Sequence, residues 1–313
     1  MIKQKNILVG IDGSLYALNA LAYVSNNFNM QHLSINLVHF FPRAPAFFID
    51  IGKPDCFKEI TGSKYEEWLN RKRKQGKKFL SDAKKLLGDS RDTEKSHRVI
   101  LRKSKQDIAR SLIKEIYSGY SAVILGRRGK SRVEDLFLGS TCKKVIEAVK
   151  TVPICIVGKN VQSKKILVAV DFSENSIRAV RYVGEFAAGT DSEVTLYHVV
   201  RDAEPIMGDE EWNYWKTMED KLELRVGQEI DKVFKRCGRI LHGAGFDTSR
   251  IHEKCLIGSV GRARDIIKEA TWGEYGTIIM GRKGVSNLKE FSLGRVTAKV
   301  LERAAGFAVW IVP

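Results

Sequence analysis

At 313 residues and 35.3 kDa the chain is about twice the usual single-domain length, so two domains are expected. A composition of 43% hydrophobic and 29% charged residues excludes intrinsic disorder, and only 6 Pro beside 26 Gly excludes collagen-like and Pro-rich chains. The net charge of +16 admits a nucleic acid or an anionic ligand as partner, but residues 1–160 hold 30 Lys+Arg against 15 Asp+Glu (+15), whereas residues 161–313 hold 23 against 22 (+1).

In chain order, short runs rich in Val and Ile alternate with stretches of helical period, the pattern of βα units around a parallel sheet. The first half predicts strands over residues 6–11, 33–40, 97–101, 121–125 and 153–157, with helices over 14–28, 63–87, 105–118 and 139–150. The second half predicts strands over 165–170, 193–200, 250–255, 276–280 and 308–312, with helices over 173–188, 211–243, 259–272 and 294–304. No run approaches the roughly 18 apolar residues of a membrane span, and the charged opening has no signal-like core, so a cytoplasmic protein is expected.

The halves also repeat one another. Asn6-Ile-Leu-Val-Gly-Ile-Asp12-Gly-Ser14 is matched by Lys165-Ile-Leu-Val-Ala-Val-Asp171-Phe-Ser173, and His39 and His198 each follow their Asp by 27 residues. Ile-Leu-Gly126-Arg-Arg-Gly129 is matched by Ile-Met-Gly281-Arg-Lys-Gly284, and each half closes on an apolar run. The chain therefore reads as a duplicated α/β domain, 1–160 and 161–313, each doubly wound with helices on both faces. Ligands of such sheets lie at the carboxyl ends of the strands, where the strand order reverses.

Two segments at those ends could receive phosphate. Ile11-Asp12-Gly13-Ser14 follows the first strand, where its simplest role is a helix cap on a tight turn. Gly126-Arg127-Arg128-Gly129 follows the fourth strand, and Gly139-Ser140-Thr141 then opens the last helix with free amides, two hydroxyls and the positive dipole end. Arg127, Arg128 and Lys130 add cationic charge. Gly129-Lys130-Ser131 is not the end of a Walker A loop, because Ile124 stands where that motif needs Gly, and neither first strand is followed by Gly-x-Gly-x-x-Gly.

These segments resemble the universal stress proteins, in the tandem form with two such domains. The Asp-x-Ser opening, the Leu-Val-His-Phe second strand and the Gly-x2-Gly-x9-Gly-Ser motif at Gly126, Gly129, Gly139 and Ser140 carry the resemblance, which spans essentially the whole chain. It implies five-stranded parallel sheets of order 3-2-1-4-5 and, from the last motif, membership of the ATP-binding branch. The implied ATP set in the first domain is Ile11, Asp12, Gly13, Phe40, Gly126, Arg127, Gly129, Gly139, Ser140 and Thr141, with Mg²⁺ or Mn²⁺ as accompanying ion. Asp12 and the backbone near Phe40 would face the adenosine, Gly126 and Arg127 the ribose, and Gly129, Gly139, Ser140 and Thr141 the phosphates.

The second half keeps Gly281, Gly284 and Gly294 but places Arg295-Val296 where Ser140-Thr141 stand, so Arg295 is expected to fill the loop and the second domain to be degenerate for ATP. The function expected is a nucleotide-responsive regulator of stress adaptation, with at most weak ATP hydrolysis and no assigned catalytic residue. The alternatives are a slow ATPase or phosphotransferase, for which Glu134-Asp135 is the acidic pair in the motif loop, and a small-ligand or partner scaffold using Trp212, Tyr214 and Trp215. An intramolecular pseudo-dimer through the last strands, and a possible homodimer, are expected partners.

Other features read as structural. His39 and His198 lack a nucleophile or metal-ligand partner at fixed spacing, and five Cys without Cys-x-x-Cys indicate neither a disulfide framework nor zinc. The basic helix around Lys72, Arg73, Lys74, Lys77 and Lys78 reads as a solvated amphipathic face, so nucleic acid is not an expected partner.

Overall fold

The computed structural model describes residues 4–42, 55–87, 97–104, 107–129, 138–159, 161–201, 209–259, 261–285 and 292–313, with side chains described outside 32, 55–63 and 209–224. Its contacts divide the chain into two units, the second of which takes in residues 26–29 and everything from Pro153 onward.

In the first unit, strands β1 (Lys5–Gly10), β2 (Leu33–Phe41), β3 (His97–Lys103) and β4 (Ala122–Gly126) form a parallel sheet of order β3-β2-β1-β4. Leu8 lies between Asn36 on β2 and Val123 on β4, and the β1 core residues Leu8 and Val9 are fully buried. The helices are α1 (Leu15–Asn27), α2 (Asp55–Leu86), α3 (Ile108–Ile116) and α4 (Ser140–Ala148). Helix α2 starts eight residues before the predicted 63: a glycine such as Gly62 costs about 1 kcal/mol in a helix, too little to end one of 32 residues. Asp107 caps α3, its Oδ1 accepting from the Ala109 amide at 2.6 Å while Oδ2 accepts from Lys144 Nζ of α4 at 2.7 Å. The Lys144 hydrogen bond holds the Asp107 carboxyl below the usual carboxylate range.

In the second unit, β6 (Lys165–Ala169), β7 (Glu193–Arg201), β8 (Ile251–Ser259), β9 (Thr277–Gly281) and β10 (Ala308–Val312) run parallel in the order β8-β7-β6-β9-β10. This unit also holds β5 (Ile154–Val157), antiparallel to β10 with Cys155 opposite Trp310. Helices α5 (Glu174–Ala187), α6 (Asp209–Gly243), α7 (Arg262–Trp272) and α8 (Arg295–Arg303) complete it. Its core centres on Trp310, 0% exposed and stacked on Phe186 at 5.4 Å, with Tyr182 at 5.1 Å and Phe28 at 6.0 Å. Such burial of a large aromatic is worth several kcal/mol, as the roughly 3–5 kcal/mol cost of Trp→Ala in a core indicates.

The strands are buried on both faces where helices cover them, as the apolar runs predict, but β3 and β8 are mostly exposed. Both end the run of paired strands in their unit, and both carry charged side chains, Arg98, Arg102 and Lys103 on β3 and Glu253 and Lys254 on β8, which blunt a sheet edge against pairing with other chains. Among the described residues no helix is long and apolar enough to cross a membrane.

Candidate functional site

In the first unit the turn after β1 and the loop after β4 are brought together. Gly13 adopts φ +74°, and the Phe79 ring of α2 occupies the space a Cβ there would need, so the turn has room only for glycine. Asp12 Oδ1 accepts from the Ser14 amide at 2.9 Å. Ser14 Oγ accepts from the Ala17 amide at 3.2 Å, capping α1, and donates to the Arg128 carbonyl at 3.2 Å, which ties the first turn to the β4 loop.

The loop glycines are set by close approach. A Cβ on Gly126 would lie 2.5 Å from the Tyr16 carbonyl carbon, so the end of β4 passes directly against the first turn of α1. A Cβ on Gly129 would lie 2.7 Å from Asp12 Oδ2, so the predicted adenosine and phosphate residues are immediate neighbours. The Gly139 amide donates to the Arg127 carbonyl at 3.0 Å and closes the loop onto the start of α4. Gly139 is the N-cap of α4 and supplies no side-chain cap, and no described residue accepts from the amides of Ser140 or Thr141. Ser140 is exposed and Thr141 half-buried. Together these features set close-packed loop glycines beside open amides at Ser140 and Thr141, a donor chemistry that suits phosphate oxygens.

The remaining predicted residues have more internal places. Phe40 is buried on β2, and the Ile11 carbonyl accepts from His39 Nδ1 at 2.6 Å, a structural role for this histidine. Arg127 and Arg128 are buried, at 1% and 7% exposure, rather than spread on the loop surface. Burial, reinforced by the neighbouring Arg128 charge, lowers the Arg127 pKa. Cys142 Sγ donates to the Gly126 carbonyl at 3.3 Å, and burial pushes its pKa up to about 12. Lys130, Ser131 and the Glu134-Asp135 pair lie outside the described residues, as do the side chains of Trp212, Tyr214 and Trp215 on α6.

The second unit repeats the architecture. A Cβ on Gly284 would lie 2.6 Å from Asp171 Oδ2, Gly294 donates to the Arg282 carbonyl at 2.9 Å, and Thr297 Oγ1 donates to the Gly281 carbonyl at 3.1 Å in the place of Cys142. His198 Nδ1 donates to the Val170 carbonyl at 2.8 Å, and burial lowers its pKa. Two differences stand out. Arg295 is exposed and does not fill the loop as its position suggested, because α8 directs its first residue to solvent; the lost hydroxyls and half-buried Val296 remain as the chemical change.

The second difference was not anticipated. In the first unit Phe79 reaches from α2 to make an edge contact with His39 at 5.6 Å; in the second, Phe172 in the β6 turn makes it with His198 at 5.4 Å. Gly13 and Phe172 are thus two solutions for covering one histidine. The signal was present in the sequence as Asp-Gly-Ser against Asp-Phe-Ser, but the ring that replaces Phe172 comes from 66 positions further along the chain than Gly13.

Tandem doubly wound α/β units with a glycine-closed loop at the carboxyl ends of their central strands define the class of protein. The model of the universal stress protein family matches residues 3–157 and again 162–313, and the chain belongs to that family. Universal stress protein MJ0577 of Methanocaldococcus jannaschii is 29% identical over 154 residues, covering 46% of this chain and 92% of that protein. A second protein of that organism, universal stress protein MJ0531, is 27% identical over 141 residues, covering 45% and 77%. The crystal structure of a universal stress protein from Archaeoglobus fulgidus matches 99% of this chain and 98% of its own with a TM-score of 0.56 at 20% identity, a likeness of fold.

Proposed function

We propose that this tandem universal stress protein binds ATP in its first copy, with Mg²⁺ or Mn²⁺, and acts in the cytoplasm as a nucleotide-responsive regulator of stress adaptation. The observation that carries this reading is the uncapped start of α4 at Gly139, Ser140 and Thr141, facing a loop whose Gly129 leaves no room for a side chain beside Asp12. Amides at a helix start and two hydroxyls suit phosphate oxygens; Asp12 and the β2 end at Phe40 would serve the nucleoside, and Gly126 and Arg127 the ribose side. The ion would join the phosphates and offset their charge.

The copies are assigned to 1–160 and 161–313, with the second left without nucleotide by its missing hydroxyls. The apolar last strands would support a pseudo-dimer of the copies, and a homodimer would appear as a doubled mass in solution. A net +15 over residues 1–160 raises the local concentration of anions, so affinity should fall with salt. Binding switches output only if ATP prefers one conformation, at about 1.4 kcal/mol for each tenfold population shift. The test is ATP titration of the full chain beside Ser140→Arg: binding by the former and its loss in the latter support the assignment, and equal affinity removes it. Phosphate release at about 1 per second or faster, lost in Ser140→Arg, would replace the regulator by an ATPase.

A further inference from the structure

We propose that the first unit carries, apart from the ATP residues, a surface for single-stranded nucleic acid built from α2 and the edge strand β3. The sequence alone favours a solvated helix face here; the structure adds a neighbouring strand and an aromatic platform. Residues 64–86 of α2 hold nine Lys or Arg against Glu66, Glu67 and Asp82, and the stretch from Arg71 to Lys78 contains six cations and no acid. A helix that is merely solvated gains from opposite charges three and four positions apart, and like charges at those spacings cost stability. Arg71, Lys74, Lys78 and Lys85 are all exposed, and β3 adds exposed Arg98, Arg102 and Lys103, of which Arg102 bonds to Glu115 at 2.7 Å.

The aromatic component lies where α2 meets the end of β3. Tyr65 and Trp68 are half-exposed and stacked, with ring centroids 6.4 Å apart at 15°. Lys103 Nζ donates to the Tyr65 hydroxyl at 2.8 Å and sits 5.2 Å from its ring centre, and Lys72 Nζ lies 5.9 Å from the Trp68 ring. Cations interleaved with exposed rings are the pairing that tracks a phosphate backbone while bases stack, without reading sequence. A membrane surface fits less well, since it needs a broad apolar face: among the described aliphatic side chains of α2, Leu80 and Ala83 are buried and Leu86 alone is exposed.

The experiment is fluorescence anisotropy of the full chain with fluorescein-labelled 20-nucleotide oligo(dT) and a 20-base-pair duplex, at 50 and 200 mM salt. Roughly five phosphate contacts at a slope near −0.7 each predict about a 100-fold loss of oligo(dT) affinity over that range. Trp68→Ala should weaken binding by roughly 5- to 150-fold, and Arg71→Glu/Lys74→Glu/Lys78→Glu should flatten the salt dependence. Lys235→Glu/Arg239→Glu on α6, and Ser140→Arg in the proposed ATP loop, should leave it unchanged, so this surface and the ATP reading fail independently. Thermal melts confirm that each variant is folded. Equal affinity for duplex and oligo(dT) with no effect of Trp68→Ala, or binding to phosphatidylserine vesicles and not to oligo(dT), would overturn the proposal.

Discussion

Replacing Gly129 by Ala tests whether this glycine serves the proposed ligand or the fold. Its new Cβ would stand 2.7 Å from Asp12 Oδ2, closer than the roughly 3.5 Å at which uncharged heavy atoms pack, so the carboxylate must move. The carboxylate is held by the Ser14 amide at 2.9 Å, and hydrogen bonds to charged groups contribute about 1.5–3 kcal/mol. If nucleotide binding needs the loop and Asp12 in their present places, about that energy is withdrawn from the ligand, a loss of roughly 10- to 100-fold in affinity. The fold should hardly notice. Gly129 is not among the glycines at positive φ, and Gly→Ala at a compatible position stabilises by about 0.4–1 kcal/mol through the unfolded chain, which offsets part of the displacement. Gly126→Ala is the contrast, because its Cβ would meet backbone 2.5 Å away that cannot rotate aside, costing about 1–3 kcal/mol or more. Calorimetric titration with ATP and thermal melts of both variants check this. A Gly129→Ala protein with unchanged affinity and a lowered Tm would refute the reasoning.

Gly13→Ala should destabilise the first unit by about 1–2 kcal/mol from the left-handed backbone alone, with the Phe79 clash added; chemical denaturation measures it. Asp107→Ala should cost about 1 kcal/mol for the lost cap at neutral pH, the exposed Lys144 pair adding little. Because the folded Asp107 pKa is depressed, that advantage is full above the unfolded value near 4 and fades as pH falls through the lower folded value, so the gap between variant and parent should close in melts below about pH 4. Native alkylation at pH 8 followed by peptide mass analysis should label exposed Cys255 before Cys142 and Cys237, whose thiols burial pushes up to about 12, and before fully buried Cys155.

The alternation of Val- and Ile-rich runs with helical stretches made the elements readable, since a parallel sheet demands continuous apolar strands such as Ile7 to Val9 and Ile278 to Met280. The glycine spacing made the loop readable, because close approach leaves few substitutes at Gly126 and Gly129. What escaped depends on where chains meet. Nothing local says that Phe79 will cover His39, that Arg295 will turn to solvent, or that Ile154 to Val157 will group with the second unit. The exposure of β3 was hidden too, because His97, Arg98, Arg102 and Lys103 flank only a short apolar stretch whose position at a sheet edge is a tertiary fact.

The central claim is a single ATP site made by the first copy. Isothermal titration of the full chain with ATP and Mg²⁺ tests it most directly: one site per chain, abolished by Ser140→Arg and kept in Arg295→Ala, is the predicted result. Two equivalent sites, or binding that survives Ser140→Arg unchanged, would contradict it.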